Sequence, residues 1–421
     1  MRDEFGLPDE APGRYIPLRD DASYHRAYRP DPLPPTIEIS GETLEELAGA
    51  MHELGRLDGI VGEVEDGSAV FASFLYKEAE QSSQVEGTRV TVSDILESQL
   101  EGEAETSDPD EESSHRLDVQ EASNYVEALQ EGIDYFDVAG RSRSSVTTEL
   151  LKQLHGTLME EGRTDEPDPL PGEFRDDIVH IREQNAGWKD PVRFVPPTPD
   201  VASSRMSDLE TYIQNGGSYP DLVDCALVHY QFETIHPFTD GNGRLGRLLV
   251  ALLLYASDIL LSPVLYLSSY INRNREEYTD KLLAVSEAGE WEPWIRFFLS
   301  GLREQAREAF VRAKLLLEKR REYRRHYEDQ RDSVNKLVRT LFEGPFLTIE
   351  EAADRIDMSY QTGRTVVEQL VDDGVLVRAT EREWGAVYRA AEIMDILERD
   401  SQRLPDPDEL ITSSERGQPS I

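Results

Sequence analysis

A mostly helical protein is predicted, with one short β-hairpin and a small helix-and-strand module near the C-terminal end. Three observations carry that prediction. Apolar residues recur at three- and four-residue spacing after Ser40 and again over most of 117–305, which is the helical period. The helical signal disappears between residues 163 and 200, where Pro167, Pro169, Pro171, Gly172, Pro191, Pro196, Pro197 and Pro199 surround a β-like stretch, Ile178-Val179-His180-Ile181. Beyond residue 331, three short helical stretches are followed by two alternating ones.

The first 40 residues are rich in Pro, Asp and Arg and close on Pro-Asp-Pro-Leu-Pro-Pro at 30–35, which cannot be helical. They are expected to form an extended arm lying over another surface. Leu44, Leu47, Met51, Leu54 and Leu57 then mark one apolar helical face, and a second helix is expected over about 69–84, ending near Gly87. Residues 101–114, EGEAETSDPDEESS, read as an acidic loop that interrupts the helices. Leu150, Leu151, Leu154 and Leu158 mark another helix, and 222–230 a further one. Residues 245–255 are apolar all round, so that helix belongs at the centre. The stretch at 178–181 is expected in a hairpin with Asn185-Ala186-Gly187 near its turn. A charged helix over about 302–329 leads to short helices at 334–342, 348–356 and 359–372. Two strands around a turn follow in VLVRATEREWGAVYRA, a winged-helix layout. The expected organisation is an N-terminal arm and helices at 1–115 and a core at 116–305. A linker helix at 306–330, a winged-helix domain at 331–397 and a loose tail at 398–421 follow.

The 84 acidic against 44 basic side chains give a formal net charge of −40. That argues against a broad nucleic-acid or anionic-membrane footprint, because phosphate is repelled over most of the surface. Only 7 of the basic residues are Lys. Dense carboxylate with scarce Lys suits a salt-rich, halophilic cytoplasm, where a Debye length of about 3 Å at about 1 M screens the repulsion. The single Cys225 excludes an intramolecular disulfide and a multi-Cys zinc site. The start, MRDEFGLPDEAPG, carries no apolar signal region, and the longest apolar run, 248–256, is too short to cross a bilayer. The expected location is cytoplasmic.

The chemistry concentrates in His236-Pro-Phe-Thr-Asp-Gly-Asn-Gly-Arg-Leu-Gly-Arg247. Pro237 ends one helix, Gly241-Asn242-Gly243 makes a tight turn, and Arg244 opens the buried helix. Backbone N–H groups, a helix N-terminus and two guanidinium groups then share one small volume, which suits phosphate. Asp240 beside the turn can hold a Mg²⁺ bridging phosphates. His236 can take a proton from an incoming hydroxyl. Base, metal ligand, amide cradle and arginines are the parts of phosphoryl or nucleotidyl transfer.

HPFTDGNGRLGR resembles the Fic-domain signature at every defined position. The resemblance implies a Fic-type helical bundle with a β-hairpin flap, frequently accompanied by a C-terminal winged helix, and it extends over nearly 13–305. It further implies transfer of AMP from ATP to a Ser, Thr or Tyr hydroxyl of a protein, the enzyme itself included, with release of pyrophosphate. His236 would be the base, Phe238 the loop anchor and Asp240 the Mg²⁺ ligand. The amides of Gly241 to Gly243, with Asn242, would cradle the α- and β-phosphates. Arg244 would contact the β-phosphate and Arg247 the γ-phosphate. PGEFRDDIVHI resembles the family's flap, so Val179 and His180 would dock the target segment. NREEY resembles the adenine-pocket segment, which points to Tyr278.

Ser82-Ser-Gln-Val-Glu86-Gly87 is similar to the family's inhibitory helix. Ser82 and Glu86, four apart, share a helical face. The resemblance implies that Glu86 pairs with Arg247 and fills the γ-phosphate position. His229 and Cys225 read as packing residues. The segment 358–374, with Arg364 against Glu368, Asp372 and Asp373, is poor for phosphate contact, so protein docking or a homodimer stands beside DNA binding. Three other functions stay open: a DNA-binding regulator that senses nucleotide, removal of AMP from a modified protein on the same site, and transfer of a different nucleotide or phosphate group.

Overall fold

The computed structural model describes residues 7–18, 26–62, 67–100, 111–160, 170–182, 192–380, 385–408 and 410. Most of the acidic stretch at 101–114, the expected hairpin turn at 185–187 and residues 411–421 of the tail lie outside the described residues. The order begins with β1 (Gly13–Pro17), β2 (Arg26–Pro30), α1 (Gly41–Gly62), α2 (Gly67–Glu86), α3 (Val92–Leu100), α4 (Glu111–Ala139) and α5 (Thr148–Leu158). It continues with α6 (Pro199–Asn215), α7 (Asp221–Ile235), α8 (Asn242–Ala256), α9 (Leu267–Arg273), α10 (Arg275–Ala288) and α11 (Trp291–Tyr327). The C-terminal part holds α12 (Asp332–Thr340), β3 (Phe346–Leu347), α13 (Ile349–Ile356), α14 (Tyr360–Asp372), β4 (Leu376–Arg378), β5 (Tyr388–Ala390) and α15 (Ala391–Glu398). The protein is mostly helical, as its apolar periodicity requires.

The arm folds back on itself instead of running extended throughout. β1 and β2 pair antiparallel with Tyr15 opposite Tyr28, and Ala27 and Tyr28 are fully buried. The arm covers α6 and α7. Arg205 Nε donates to Pro30 O at 2.8 Å, Gln231 Nε2 to Asp31 O at 2.9 Å, and the Tyr219 hydroxyl to Pro35 O at 2.9 Å.

Helix α8 is buried along nearly its whole length, in line with its uninterrupted apolar sequence. It packs against α4, α5 and α7. Helix α1 lies along α11 in the same direction, as the ascending ion pairs Glu42–Arg296 and Glu46–Arg303 record. Its buried seam is Ala50, Leu54, Leu57, Ile60 and Val61. Leu44 and Met51, expected on the buried face, are 51% and 50% exposed. Ala50, too small to mark the face by sequence, is fully buried in their stead.

The charged helix expected from about 302 begins earlier, at Trp291, as part of one 37-residue helix, α11. Gly301 does not break it, and a Cβ there would meet Tyr270 Cδ1 at 2.7 Å, so the glycine admits the α9 ring. Beyond α11, strand β5 pairs antiparallel with both β3 and β4, giving the order β3-β5-β4, one strand more than the sequence indicated. A capping box, Thr348 with Glu351, starts α13, and Ser359 caps α14.

Candidate active site

Helix α7 ends on His236, which takes a left-handed conformation with φ 49° and ψ 64°. For a residue with a side chain this is uncommon backbone and needs support from its surroundings. Buried Arg175 supplies it. Its Nε donates to His236 O at 2.8 Å, and its backbone N–H donates to Pro237 O at 3.0 Å. Phe238 is fully buried and stacks on the His155 ring at 3.8 Å, with Phe174 edge-on at 5.3 Å. Gly172 N–H donates to His155 Nδ1, so His155 Nε2–H donates to Asp240 O at 3.0 Å. Burial holds this imidazole down to about 4, neutral as that tautomer requires.

Asn242 ties the loop from inside. Its Oδ1 accepts from Phe238 N–H, and its Nδ2 donates to Phe238 O, both at 2.9 Å. The residue is 2% exposed, and both ends of its amide are spent on the turn. Gly241, at φ 72°, opens α8 without a side-chain cap, leaving the first N–H groups of the helix for an anion. Asp240 Oδ1 accepts from Gly241 N–H at 2.6 Å and lies 3.8 Å from Arg244 Nη2.

The two arginines have different surroundings. Arg247 Nε donates to Ser82 Oγ at 2.9 Å, and its Nη2 to Ser82 O at 3.1 Å and to Glu86 Oε1 at 2.6 Å. The guanidinium is almost fully buried, whereas the Glu86 side chain is 36% exposed. Burial pushes the Glu86 carboxyl up, but the Arg247 charge and hydrogen bond, helped by Arg244 and Arg275, outweigh it and hold it below its ordinary value. A Cβ on Gly243 would meet Glu86 Oε1 at 2.7 Å, so only glycine lets the carboxylate reach this place. Arg244 is instead buried against Glu121 of α4, with Nη1 to Oε1 at 2.9 Å. It is thus already ion-paired at the position where a phosphate contact was expected.

A cleft of about 620 Å³ runs beside these groups. Glu86, His236, Gly243, Arg247 and Tyr278 line it; Asp240, Gly241, Asn242 and Arg244 do not. Burial, then the Arg175 charge, lowers His236 to about 4, so its imidazole is neutral near pH 7. The flap forms one antiparallel bridge, with Ile181 N–H donating to Phe194 O at 2.9 Å. Ile181 and Phe194 line the cleft, whereas Val179 and His180, half-buried in the same segment, do not. Tyr278 presents its ring. Its hydroxyl lies 2.9 Å from His229 Nε2, and His229 is buried as a packing residue, as is Cys225.

Four contributors went unseen in the sequence: His155, Arg175, Glu121 and Glu233. The first three stand 60 or more residues from the signature; Arg175 falls within the flap-like PGEFRDDIVHI, but nothing there marks its contact with His236, and no motif marks the other two. Glu233, three residues before His236, was close enough to notice but fits an ordinary helix.

Residues 44–134 match the N-terminal region of the Fic/DOC family, and residues 145–254 match the Fic/DOC family itself. The chain is 29% identical over 139 residues to the protein adenylyltransferase fic-1 of Caenorhabditis elegans, covering 29% of this chain and 26% of that protein. It is 31% identical over 136 residues to the protein adenylyltransferase Fic of Culex quinquefasciatus, covering 29% and 26%. The match thus spans about a quarter of the length of these relatives. Among solved structures, a Fic family protein from Desulfovibrio desulfuricans G20 aligns with a TM-score of 0.53 and 22% identity. That alignment covers 85% of this chain and 98% of that one, a likeness of fold.

Proposed function

Because this chain belongs to the Fic/DOC family over residues 44–254, we propose that it is a protein adenylyltransferase held inactive by its own Glu86. Its action would be to move AMP from ATP to a Ser, Thr or Tyr hydroxyl of a protein. The names of its relatives support the reaction class. The observation that carries the reading is the three-bond seat of Arg247 on Ser82 and Glu86, beside a neutral His236.

The steps follow from this chain's own groups. The imidazole of His236 accepts the proton of the target hydroxyl as its oxygen bonds to the α-phosphorus. The α–β bridging bond breaks in line, and pyrophosphate leaves with that electron pair. The N–H groups at the start of α8, where Gly243 lines the cleft, would receive phosphate oxygens. Arg247 would hold the γ-phosphate, which it cannot do while Glu86 occupies it, since both anions need the same guanidinium edge. The flap bridge at Ile181 and Phe194 offers a strand edge to the target segment.

Asp240, 31% exposed at its side chain, would hold Mg²⁺. Among the described residues no group of three or more His, Cys, Asp or Glu could cage a metal alone, which suits an ion carried mainly by phosphates and one carboxylate. Bound there, Mg²⁺ would neutralise charge on the α- and β-phosphates.

ATP labelled at the α- or γ-phosphate tests the reading on the Glu86→Gly protein supplied with candidate target proteins. Label from the α-phosphate should enter protein while that from the γ-phosphate should not. Entry of γ-label alone would make the enzyme a kinase and overturn the reading.

A further inference from the structure

One acidic group in the cleft has no role in the scheme above. Glu233 Oε1 is buried and finds no hydrogen-bond partner among the described residues, although the residue lines the cleft. Space has been kept for it, because a Cβ on Gly246 would come within 2.3 Å of that oxygen. Burial pushes the carboxyl up to about 7, with Arg247 pulling it down and Glu86 pushing it further up. A buried acceptor without a donor is costly, and such atoms commonly await a ligand.

Two neighbouring side chains spend donors elsewhere. His229 Nδ1 lies 3.2 Å from Gly246 O and so carries its proton there, leaving Nε2 to accept the Tyr278 hydroxyl proton. Arg247 spends Nε and Nη2 on Ser82 and Glu86. The Glu233 charge is felt both by Arg247, at the phosphate end, and by Tyr278, at the aromatic end. Glu233 also lies one turn before His236 on the same helix. A nucleotide with its phosphates on α8 and its base against Tyr278 carries its sugar past this point, and a ribose presents two O–H donors.

We propose that Glu233 accepts a hydrogen bond from a ribose hydroxyl of the bound nucleotide and so makes the site select ribonucleotides over deoxyribonucleotides. The inference rests on the reading of the cleft as a nucleotide site. It does not require AMP transfer.

Calorimetric titration of ATP, 2′-deoxy-ATP and 3′-deoxy-ATP into the Glu86→Gly protein tests it, with and without Glu233→Ala. The parent should prefer ATP over at least one deoxy form by about tenfold, and Glu233→Ala should cut that preference to about twofold. The isosteric Glu233→Gln, which keeps one acceptor oxygen, should retain part of it and serves if the alanine variant does not fold. Equal affinities in the parent overturn the inference, as does a preference unchanged by Glu233→Ala. Loss of adenine-over-guanine selectivity without any ribose preference overturns it too, by assigning Glu233 to a base amino group. Failure of all nucleotides to bind would remove both this inference and the reading it rests on. A ribose preference without AMP transfer would uphold this inference and sink only the transfer.

Discussion

His236 is the base of the proposed reaction, and its setting predicts its pH behaviour. Burial and the Arg175 charge hold it near 4, so it stays neutral well into the acid range. Transfer by the Glu86→Gly protein should therefore lose its base only as pH falls toward about 4, and an acid limb centred near 6.5 would show an unperturbed imidazole. Ser82 gives a second prediction. Its hydroxyl accepts from Arg247 Nε at 2.9 Å, and hydrogen bonds to charged groups contribute about 1.5–3 kcal/mol. Ser82→Ala should loosen the inhibited seat and raise wild-type transfer roughly tenfold, measured as label incorporated into protein. No rise would leave Glu86 as the sole lock. The signature itself was legible because its parts are contiguous. Arg175, which holds the His236 carbonyl, and Glu121, which occupies Arg244, were not, since only folding brings residues 175 and 121 to this loop.

Among the elements, α2 carries the proposed lock on the site. Glu78, Ser82 and Glu86 recur every four residues, so one face carries all three. Ser82 and Glu86 hold Arg247, while Glu78 accepts from Tyr125 at 3.1 Å and from Ser268, tying α2 to α4 and α9. Burial pushes Glu78 up to about 7 against the lowering effect of Ser268 and Arg247. Its folded value thus lies above its unfolded one. The stability it contributes is fully present below about 4.5 and is lost as pH rises through about 7. Thermal unfolding should show a loss of about 1–3 kcal/mol between about pH 6 and pH 8, reduced in Glu78→Gln but not abolished, because burial pushes Glu233 and Glu121 up into the same range. A slope unchanged by Glu78→Gln would place the titration elsewhere. Element existence was largely readable from periodicity, but which arc is buried was not. Leu44 and Met51 had the right spacing in α1, yet they are half-exposed and Ala50 is fully buried. Nor did the sequence reveal that 291–327 is one helix, because the change from apolar to charged residues near 302 marks a boundary in composition that the backbone does not follow.

For the whole molecule, charge sets the conditions under which all this operates. A net charge of −40 opposes compaction, yet Arg182, Arg193, Arg247 and Arg275 line one cleft. The acidic surface would repel a triphosphate at long range and the cleft would hold it at short range, so added salt should help on both counts. The unfolding temperature should rise between about 0.1 M and about 1 M KCl, as the Debye length shortens from about 10 Å to about 3 Å. An unchanged temperature would show that the carboxylates are already compensated locally. The measurement that bears most directly on the central claim is the intact mass of the protein after incubation with ATP and Mg²⁺ in high salt. Wild type, Glu86→Gly and Glu86→Gly with His236→Ala would be compared, each with a panel of candidate target proteins present. The account predicts a gain of one AMP group, on the enzyme or on a target, for Glu86→Gly alone. A gain that persists without His236, or one equally large in wild type, would contradict it.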